Sequence, residues 1–136
     1  MNVEFQRAIL SIMLWKGSPL QRYTATVLTT ALVRLQHGKD TFSADDVPDN
    51  GLGPDDRNVI GAAFGELANA KTPLIDPMMV TTPLGAQPVK VKSKKQQGHG
   101  NPINVWRVNA PLAEAWLKRH GYIVPEVTPQ TEMALA

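Results

Sequence analysis

The sequence predicts an α+β fold that is mainly α-helical. Two observations carry this prediction: apolar residues recur at helical spacing in three long segments, and two runs of period-two alternation flank a stretch rich in Gln, Gly and His. The chain has 136 residues, of which 43% are hydrophobic, so it can bury one core. We expect a single domain at residues 1–126 with its core at 19–109, followed by a flexible C-terminal tail at 127–136.

Two helices are predicted at the N-terminus. Residues 3–15 have an apolar face and end before Gly17. Residues 19–37 form a longer helix that Pro19 opens and Gly38 ends, because proline fits the first helical turn and glycine the position after the last. Four threonines lower the helix propensity of this segment, so we expect packing to stabilise it.

Two further helices are predicted in an acidic region. Ser43 is a suitable N-cap for a short helix that ends by Gly51. A stronger helix follows at 55–70, in which Gly61 and Gly65 leave a smooth strip where another backbone could pack closely. The apolar face of this helix contains Val59, Ile60, Ala63, Phe64 and Leu67.

The second half of the chain is predicted to contain a β-hairpin. Residues 72–88 include four prolines, so we expect irregular chain there with one edge strand around residues 78–82. Val89 and Val91 then alternate with lysines, and a second alternating run follows at 103–108. This pattern is typical of a hairpin with one buried face and one exposed face.

The order of these elements predicts a winged helix-turn-helix. Pro111 opens a last helix at 112–120, so the order is helix, helix, short helix, helix, hairpin, helix. The short helix, the helix at 55–70 and the hairpin form the winged unit, with a two- to three-stranded β-wing. Extra N-terminal and C-terminal helices close the outside.

Three segments have a recognisable form: FSADDV at 42–47, RNVIGAAFGELANAKTPLI at 57–75 and SKKQQGHGNPINVWR at 93–107. Together they resemble small winged-helix proteins encoded by bacteriophages and prophages. The resemblance implies a protein linked to transcription or replication control. The chain departs from that family in the long proline-rich stretch 72–88 and in Glu66 and Asn69, where the family has basic residues. The matched positions are Gly61, Ala62, Phe64, Leu67, Ser93, His99, Val105, Trp106 and Arg107.

Charge is distributed unevenly along the chain. The net charge is +2, but residues 1–39 carry +4, residues 40–66 carry −6 and residues 67–107 carry +5. Lysines at alternate positions of a strand share one face about 7 Å apart, which matches successive phosphates of a nucleic-acid backbone. The same lysines would also protect an exposed strand edge from aggregation, and both interpretations stay open. The wing lysines are Lys90, Lys92, Lys94 and Lys95.

The wing contains further candidate contacts to double-stranded DNA. His99 and Asn101 lie at the predicted hairpin tip, where they could touch the minor groove or act only as turn formers. Arg107 lies on the return strand. The three tryptophans are expected in the core, but Trp106 could stack on a base if its side chain points outward.

The helix at 55–70 offers two candidates for base recognition. Arg57 and Asn58 lie near its N-terminus, where helix-turn-helix proteins contact base edges. Asp55 and Asp56 lie beside them and would repel phosphates, although a favourable interaction with the helix dipole accounts for both acids.

The sequence argues against an enzyme, a cofactor protein and a membrane protein. There is no cysteine, which excludes disulfides and thiol catalysis. The three histidines lack partners at metal-ligand spacing, the aspartates lack the register of a calcium loop, and the paired glycines are too short to form phosphate loops. The first apolar helix is too short to span a membrane. We therefore expect no catalytic residue, no cofactor and no metal, and a location in the cytoplasm of a bacterial host cell.

A protein–protein interaction module is the alternative. The −6 block beside the +5 block would suit a host or phage protein that the acidic helix pair binds or inhibits. A homodimer formed through the first two helices also stays open, because the helix at 19–37 is long enough to form an interface.

Overall fold

The computed structural model describes residues 3–14, 17–49, 52, 56–94 and 102–125. Over these residues the fold is α+β, as predicted, with four α-helices, one 3₁₀-helix and six short strands that pair antiparallel two by two. The helices are α1 (Val3–Leu14), α2 (Pro19–Gln36), the 3₁₀-helix Ala44–Asp46, α3 (Arg57–Ala68) and α4 (Ala110–Arg119). The strands are β1 (Ile75–Pro77), β2 (Met79–Thr82), β3 (Gly85–Pro88), β4 (Lys90–Lys92), β5 (Pro102–Asn104) and β6 (Trp106–Val108).

Helix α2 forms the centre of the fold. Every residue from Tyr23 to Val33 is buried, on all sides of the helix, so neighbouring elements must cover it all round. Ser18 caps its start by accepting the N–H of Gln21 at 3.1 Å. Packing therefore stabilises this helix, as its low propensity led us to expect. The threonine hydroxyls at 24, 26 and 30 donate to the carbonyl groups four residues earlier.

The other helices pack around α2. Helix α1 buries Ala8 and Ile12, α3 buries Ala63 and Leu67, and α4 buries Leu117 in the same core. The predicted ends are correct to within one or two residues, so the helix expected at 55–70 forms over Arg57–Ala68. The last helix begins two residues earlier than predicted, because the side chain of Asn109 accepts the N–H of Leu112 at 3.2 Å and caps it.

The short helix predicted after Ser43 is a single 3₁₀ turn. Ser43 and Asp46 form a capping box in which an Asp46 carboxylate oxygen accepts the backbone N–H of Ser43 at 2.8 Å. The other oxygen of Asp46 pairs with the guanidinium of Arg34 at 3.2 Å. The turn is therefore attached to the C-terminal end of α2.

The strands meet at a three-way junction. The N–H of Met78 donates to the carbonyl of Val105 at 2.8 Å. The N–H of Val105 donates to the carbonyl of Val89 at 3.2 Å, and the N–H of Val89 donates back to the carbonyl of Met78 at 2.8 Å. Three antiparallel ribbons leave this closed ring of hydrogen bonds: β1 with β6, β2 with β3, and β4 with β5. The ring therefore fixes where each ribbon starts relative to the other two.

The edge strand expected around residues 78–82 is present as β2, but the prediction of irregular chain for the rest of 72–88 was wrong. Strands β2 and β3 form a hairpin whose turn the Thr82 hydroxyl closes, donating to the carbonyl of Gly85 at 2.9 Å. One of the prolines that argued against strands lies where no donor is needed. Pro88 lies opposite Met79, one position before Val89, whose N–H donates to the carbonyl of Met78. Because N–H groups alternate in direction along a strand, an N–H at position 88 would point away from β2, and proline is tolerated there.

The predicted hairpin of 89–94 with 103–108 also needs correction. Only β4 and β5 pair in this way, because beyond the junction β6 leaves β4 and pairs with β1. Strand β4 does not form the expected buried face: all its residues are exposed, including Val91 at 42%, and only the β5 side of the ribbon is half-buried, at Ile103 and Asn104. In the described part of the chain no helix packs beneath this ribbon, so period-two alternation does not correspond to burial here.

Strand β6 attaches the ribbons to the helices. On one side it pairs with β1, and on the other side Trp106 exchanges two backbone hydrogen bonds with Phe42, at 2.8 and 3.0 Å. The Trp106 ring stacks on Phe64 of α3 with centroids 5.7 Å apart, and Phe64 in turn lies 6.2 Å from Phe42. An aromatic contact thus joins α3 to the base of the ribbons.

Candidate nucleic-acid interface

Two of the predicted wing lysines lie together on an exposed strand. Lys90 and Lys92 are exposed residues of β4, paired with Asn104 and Pro102 of β5. Residues two apart on a strand project to the same face about 7 Å from each other. The two ammonium groups can therefore reach neighbouring anionic groups on a single ligand.

Lys94 does not continue this strand. Strand β4 ends at Lys92, and the buried hydroxyl of Ser93 donates to Asp45 at 2.9 Å. The backbone N–H of Lys94 donates to the second carboxylate oxygen of Asp45 at 2.6 Å. The Lys94 side chain itself is exposed. Asp45 therefore anchors the end of the basic ribbon to the 3₁₀ turn.

Sequence reasoning missed this role of Asp45. From the sequence, Ser43 is predicted to cap the short helix, and no role in attaching the ribbon is predicted for Asp45. Its partner Ser93 is 48 positions away along the chain, and no local pattern marks the pair.

Arg107 lies at the base of the ribbons, away from the lysines. It is an exposed residue of β6 directly opposite Asp76 of β1, which is also exposed. Side chains directly opposite one another on antiparallel strands lie about 5 Å apart at Cβ, so the carboxylate partly compensates this positive charge. Arg107 is therefore a weaker candidate for an anion contact than the lysines of β4.

The outer face of α3 is small and open. Asn58 is exposed in the first turn, directly after Arg57, which begins the helix. Gly61 and Ala62 are exposed, and a Cβ added at Gly61 would meet nothing within 4 Å. The close backbone packing expected at the glycine strip is therefore not made within the described part of the fold. Glu66 and Asn69 are exposed on the same helix.

The aromatic side chains are structural. Trp106 is half-buried against Phe64, so its ring is not presented outward for stacking on a base. Trp116 packs against the core and stacks on the His120 ring at 4.0 Å between centroids. These two tryptophans are core residues, as expected, whereas Trp15 lies outside the described residues.

Several predicted residues cannot be placed. Lys95, His99 and Asn101, together with Asp55 and the tail at 127–136, lie outside the described residues. Over the residues that are described, none of the helices is both long and apolar enough to cross a membrane.

Comparison with known proteins identifies no relative. No protein-family description, no curated protein and no solved structure matches this chain.

Proposed function

We propose that this protein is a winged helix-turn-helix that binds double-stranded DNA, with the β4–β5 ribbon as a wing that contacts backbone phosphates. The observation that carries the proposal is the exposed strand β4, on which Lys90 and Lys92 share one face of a ribbon with no core beneath it. The side chains of β4 gain little from internal burial. A ligand that contacts the lysine charges would explain why the chain forms this exposed ribbon.

The order of the elements supports the winged-helix assignment. Helix α2 is followed by the bridge at Phe42, the 3₁₀ turn, α3 and then the strands, and β6 lies between Phe42 and β1. A small antiparallel sheet that follows a helix-turn-helix is the arrangement of this motif. In the proposed complex α3 would enter the major groove and the β4–β5 ribbon would lie along the adjacent backbone.

The face of α3 suits close approach to DNA. Gly61 and Ala62 present almost no side chain, so the helix backbone could lie near base edges. Asn58 would be the residue that contacts a base, since its amide can bond adenine through two hydrogen bonds. The resemblance to phage proteins supports a role in transcription or replication control.

The alternative, a protein interaction module, would use the acidic region at 40–66. Two of its acids already have partners within the fold: Asp46 pairs with Arg34, and Asp45 accepts hydrogen bonds from Ser93 and Lys94. Arg34 compensates the charge of Asp46, and the Asp45 carboxylate is engaged by the ribbon, so fewer acids are available to a basic protein partner than the sequence suggests, which favours the DNA proposal.

The test is the salt dependence of DNA binding, measured by fluorescence anisotropy with a random-sequence duplex. If the three described lysines Lys90, Lys92 and Lys94 each neutralise one phosphate, log affinity falls with log salt at a slope of about −2.7. A rise from about 50 to about 200 mM salt should then weaken binding about 40-fold. Replacing all three with Ala should remove most of this dependence.

A matched variant controls for net charge. Three other exposed lysines lie outside the ribbons, and their triple replacement changes the charge equally: Lys39→Ala, Lys71→Ala and Lys118→Ala. The proposal requires this control to retain the wild-type slope. Absent or salt-insensitive binding by the folded wild type would refute DNA binding, and equal losses in the two triple variants would refute the role of the wing.

A further inference from the structure

Strand β2 has an open backbone edge. The N–H of Val89 donates to the carbonyl of Met78, so alternation along the ribbon makes Val80 with Gln87 the next hydrogen-bonded pair. The N–H and C=O groups of Met79 and Thr81 therefore point away from β3. Both residues are exposed, and within the described residues β3 is the only strand that pairs with β2.

The outer edges of β3 and β4 carry residues that protect them from pairing with another strand, whereas the outer edge of β2 does not. Proteins protect free edges with charged side chains or proline. The outer edge of β3 contains Pro88, which has no N–H, and β4 carries two lysines. Residues 79–88, in contrast, include no charged residue, and β2 itself has no proline.

The side chains of this hairpin are apolar and accessible. Met79 and Val80 are each 48% exposed, and Leu84 at the turn is 88% exposed. A two-stranded hairpin that projects without a core is marginally stable by itself, so burial against another surface would stabilise it.

We propose that β2 pairs antiparallel with β2 of a second copy of this chain, around a twofold axis at Val80. The outward N–H and C=O of Met79 would then exchange two hydrogen bonds with Thr81 of the other copy. In the same way, Thr81 would exchange two hydrogen bonds with Met79 of the other copy. All four outward N–H groups and all four outward carbonyls of the two strands are satisfied in this register. Val80 lies opposite Val80 of the other copy.

A second copy fits this edge better than a charged partner does. The edge has no charge, so two copies meet without repulsion, and a charged partner would find no countercharge on it. The spacing of Met79 and Thr81 around Val80 is symmetric, which an isologous interface requires. Helix α2, considered for a dimer from the sequence, is buried from Tyr23 to Val33 and has little free surface. We therefore place the dimer interface at β2 rather than at the first two helices.

Cysteine cross-linking tests the register, because the natural chain has no cysteine. In the proposed dimer the two Val80 Cα atoms are about 4.5 Å apart, a non-hydrogen-bonded pair within reach of a disulfide. Gln87 lies opposite Val80 on the same face but one strand further out, so its two copies are separated by about 14 Å. Under mild oxidation Val80→Cys should form dimers at least about tenfold faster than Gln87→Cys. Equal rates would overturn the proposal.

Sedimentation equilibrium of variants without cysteine tests the interface independently. Thr81→Pro removes an outward N–H donor from the open edge of β2. Ala86 lies opposite Thr81 on β3, so Ala86→Pro removes an N–H donor from the outer edge of β3, away from the proposed interface. The wild type and Ala86→Pro should dimerise within a range of about 5 to 500 μM, and Thr81→Pro should weaken dimerisation at least about tenfold. Circular dichroism reports whether each variant folds. A wild type that stays monomeric throughout this range would overturn the proposal, whatever its affinity for DNA.

Discussion

Asp45 connects the basic ribbon to the helical part of the protein, and its removal should destabilise the fold. Its carboxylate accepts the Ser93 hydroxyl at 2.9 Å and the Lys94 N–H at 2.6 Å. Ser93 is only 8% exposed, so Asp45→Ala would leave that hydroxyl without this acceptor. The two residues are distant in sequence, and the contact therefore closes a long loop of chain.

The expected magnitude follows from the exposure of the two hydrogen bonds. A hydrogen bond to a charged group contributes about 1.5–3 kcal/mol, and the part-buried bond from Ser93 lies at the lower end of this range, at about 1.5 kcal/mol. The bond from Lys94 is exposed to solvent, so we assign it about 1 kcal/mol. Together the two bonds give about 2.5 kcal/mol, by which Asp45→Ala should lower the free energy of unfolding.

Urea denaturation monitored by tryptophan fluorescence measures this change. Asp40→Ala is the matched control, because it removes the same charge from an exposed site and should change stability by less than about 0.5 kcal/mol. A double-mutant cycle with Ser93→Ala should give a coupling energy of about 1–1.5 kcal/mol. A coupling energy near zero, or equal stabilities for Asp45→Ala and Asp40→Ala, would refute the anchoring role.

Two further predictions concern polar groups buried in α2. The hydroxyl of Thr29 is buried and has no hydrogen-bond partner among the described residues, so Thr29→Val should raise the free energy of unfolding by about 1 kcal/mol. Thr30→Val, which removes a hydroxyl bonded to the Thr26 carbonyl at 2.8 Å, should not raise it, and urea denaturation compares the two. Burial, followed by the charge of Asp49, raises the pKa of Tyr23 above its ordinary value of 10.0, and burial also raises the pKa of Tyr122. The unfolded chain therefore loses the Tyr23 proton first, and stability that is intact below pH 10 should fall as the pH rises above 10, by up to about 1.4 kcal/mol per pH unit for Tyr23. Tyr23→Phe should reduce this slope by up to about 1.4 kcal/mol per pH unit in denaturation curves measured between pH 10 and 11.5, and an unchanged slope would contradict the assignment.

Much of the helical part of the fold could be predicted from local pattern. The apolar spacing of α1, the proline and glycine at the ends of α2, and the capping residue Ser43 all act within a few positions along the chain. Local hydrogen bonds and periodic burial are set by neighbouring residues, so a sequence read in short windows contains them.

The candidate site was predicted less completely. Lys90 and Lys92 on one exposed face follow from alternation, which is a property of any strand. Lys94 was expected to extend that face, but Asp45 ends the strand pattern there. The glycine strip of α3 was expected to pack against another backbone, and it is open instead.

The sequence by itself determined the class of fold, the helices and the position of the basic strand, because these depend on residue spacing and on composition. Only the tertiary structure decided which strands pair, that 79–88 is a hairpin, and that Trp106 packs inward on Phe64. Such pairings join residues that are far apart in sequence, and their free energy depends on the closure of the whole junction at Met78, Val89 and Val105. No short window of the chain contains that information.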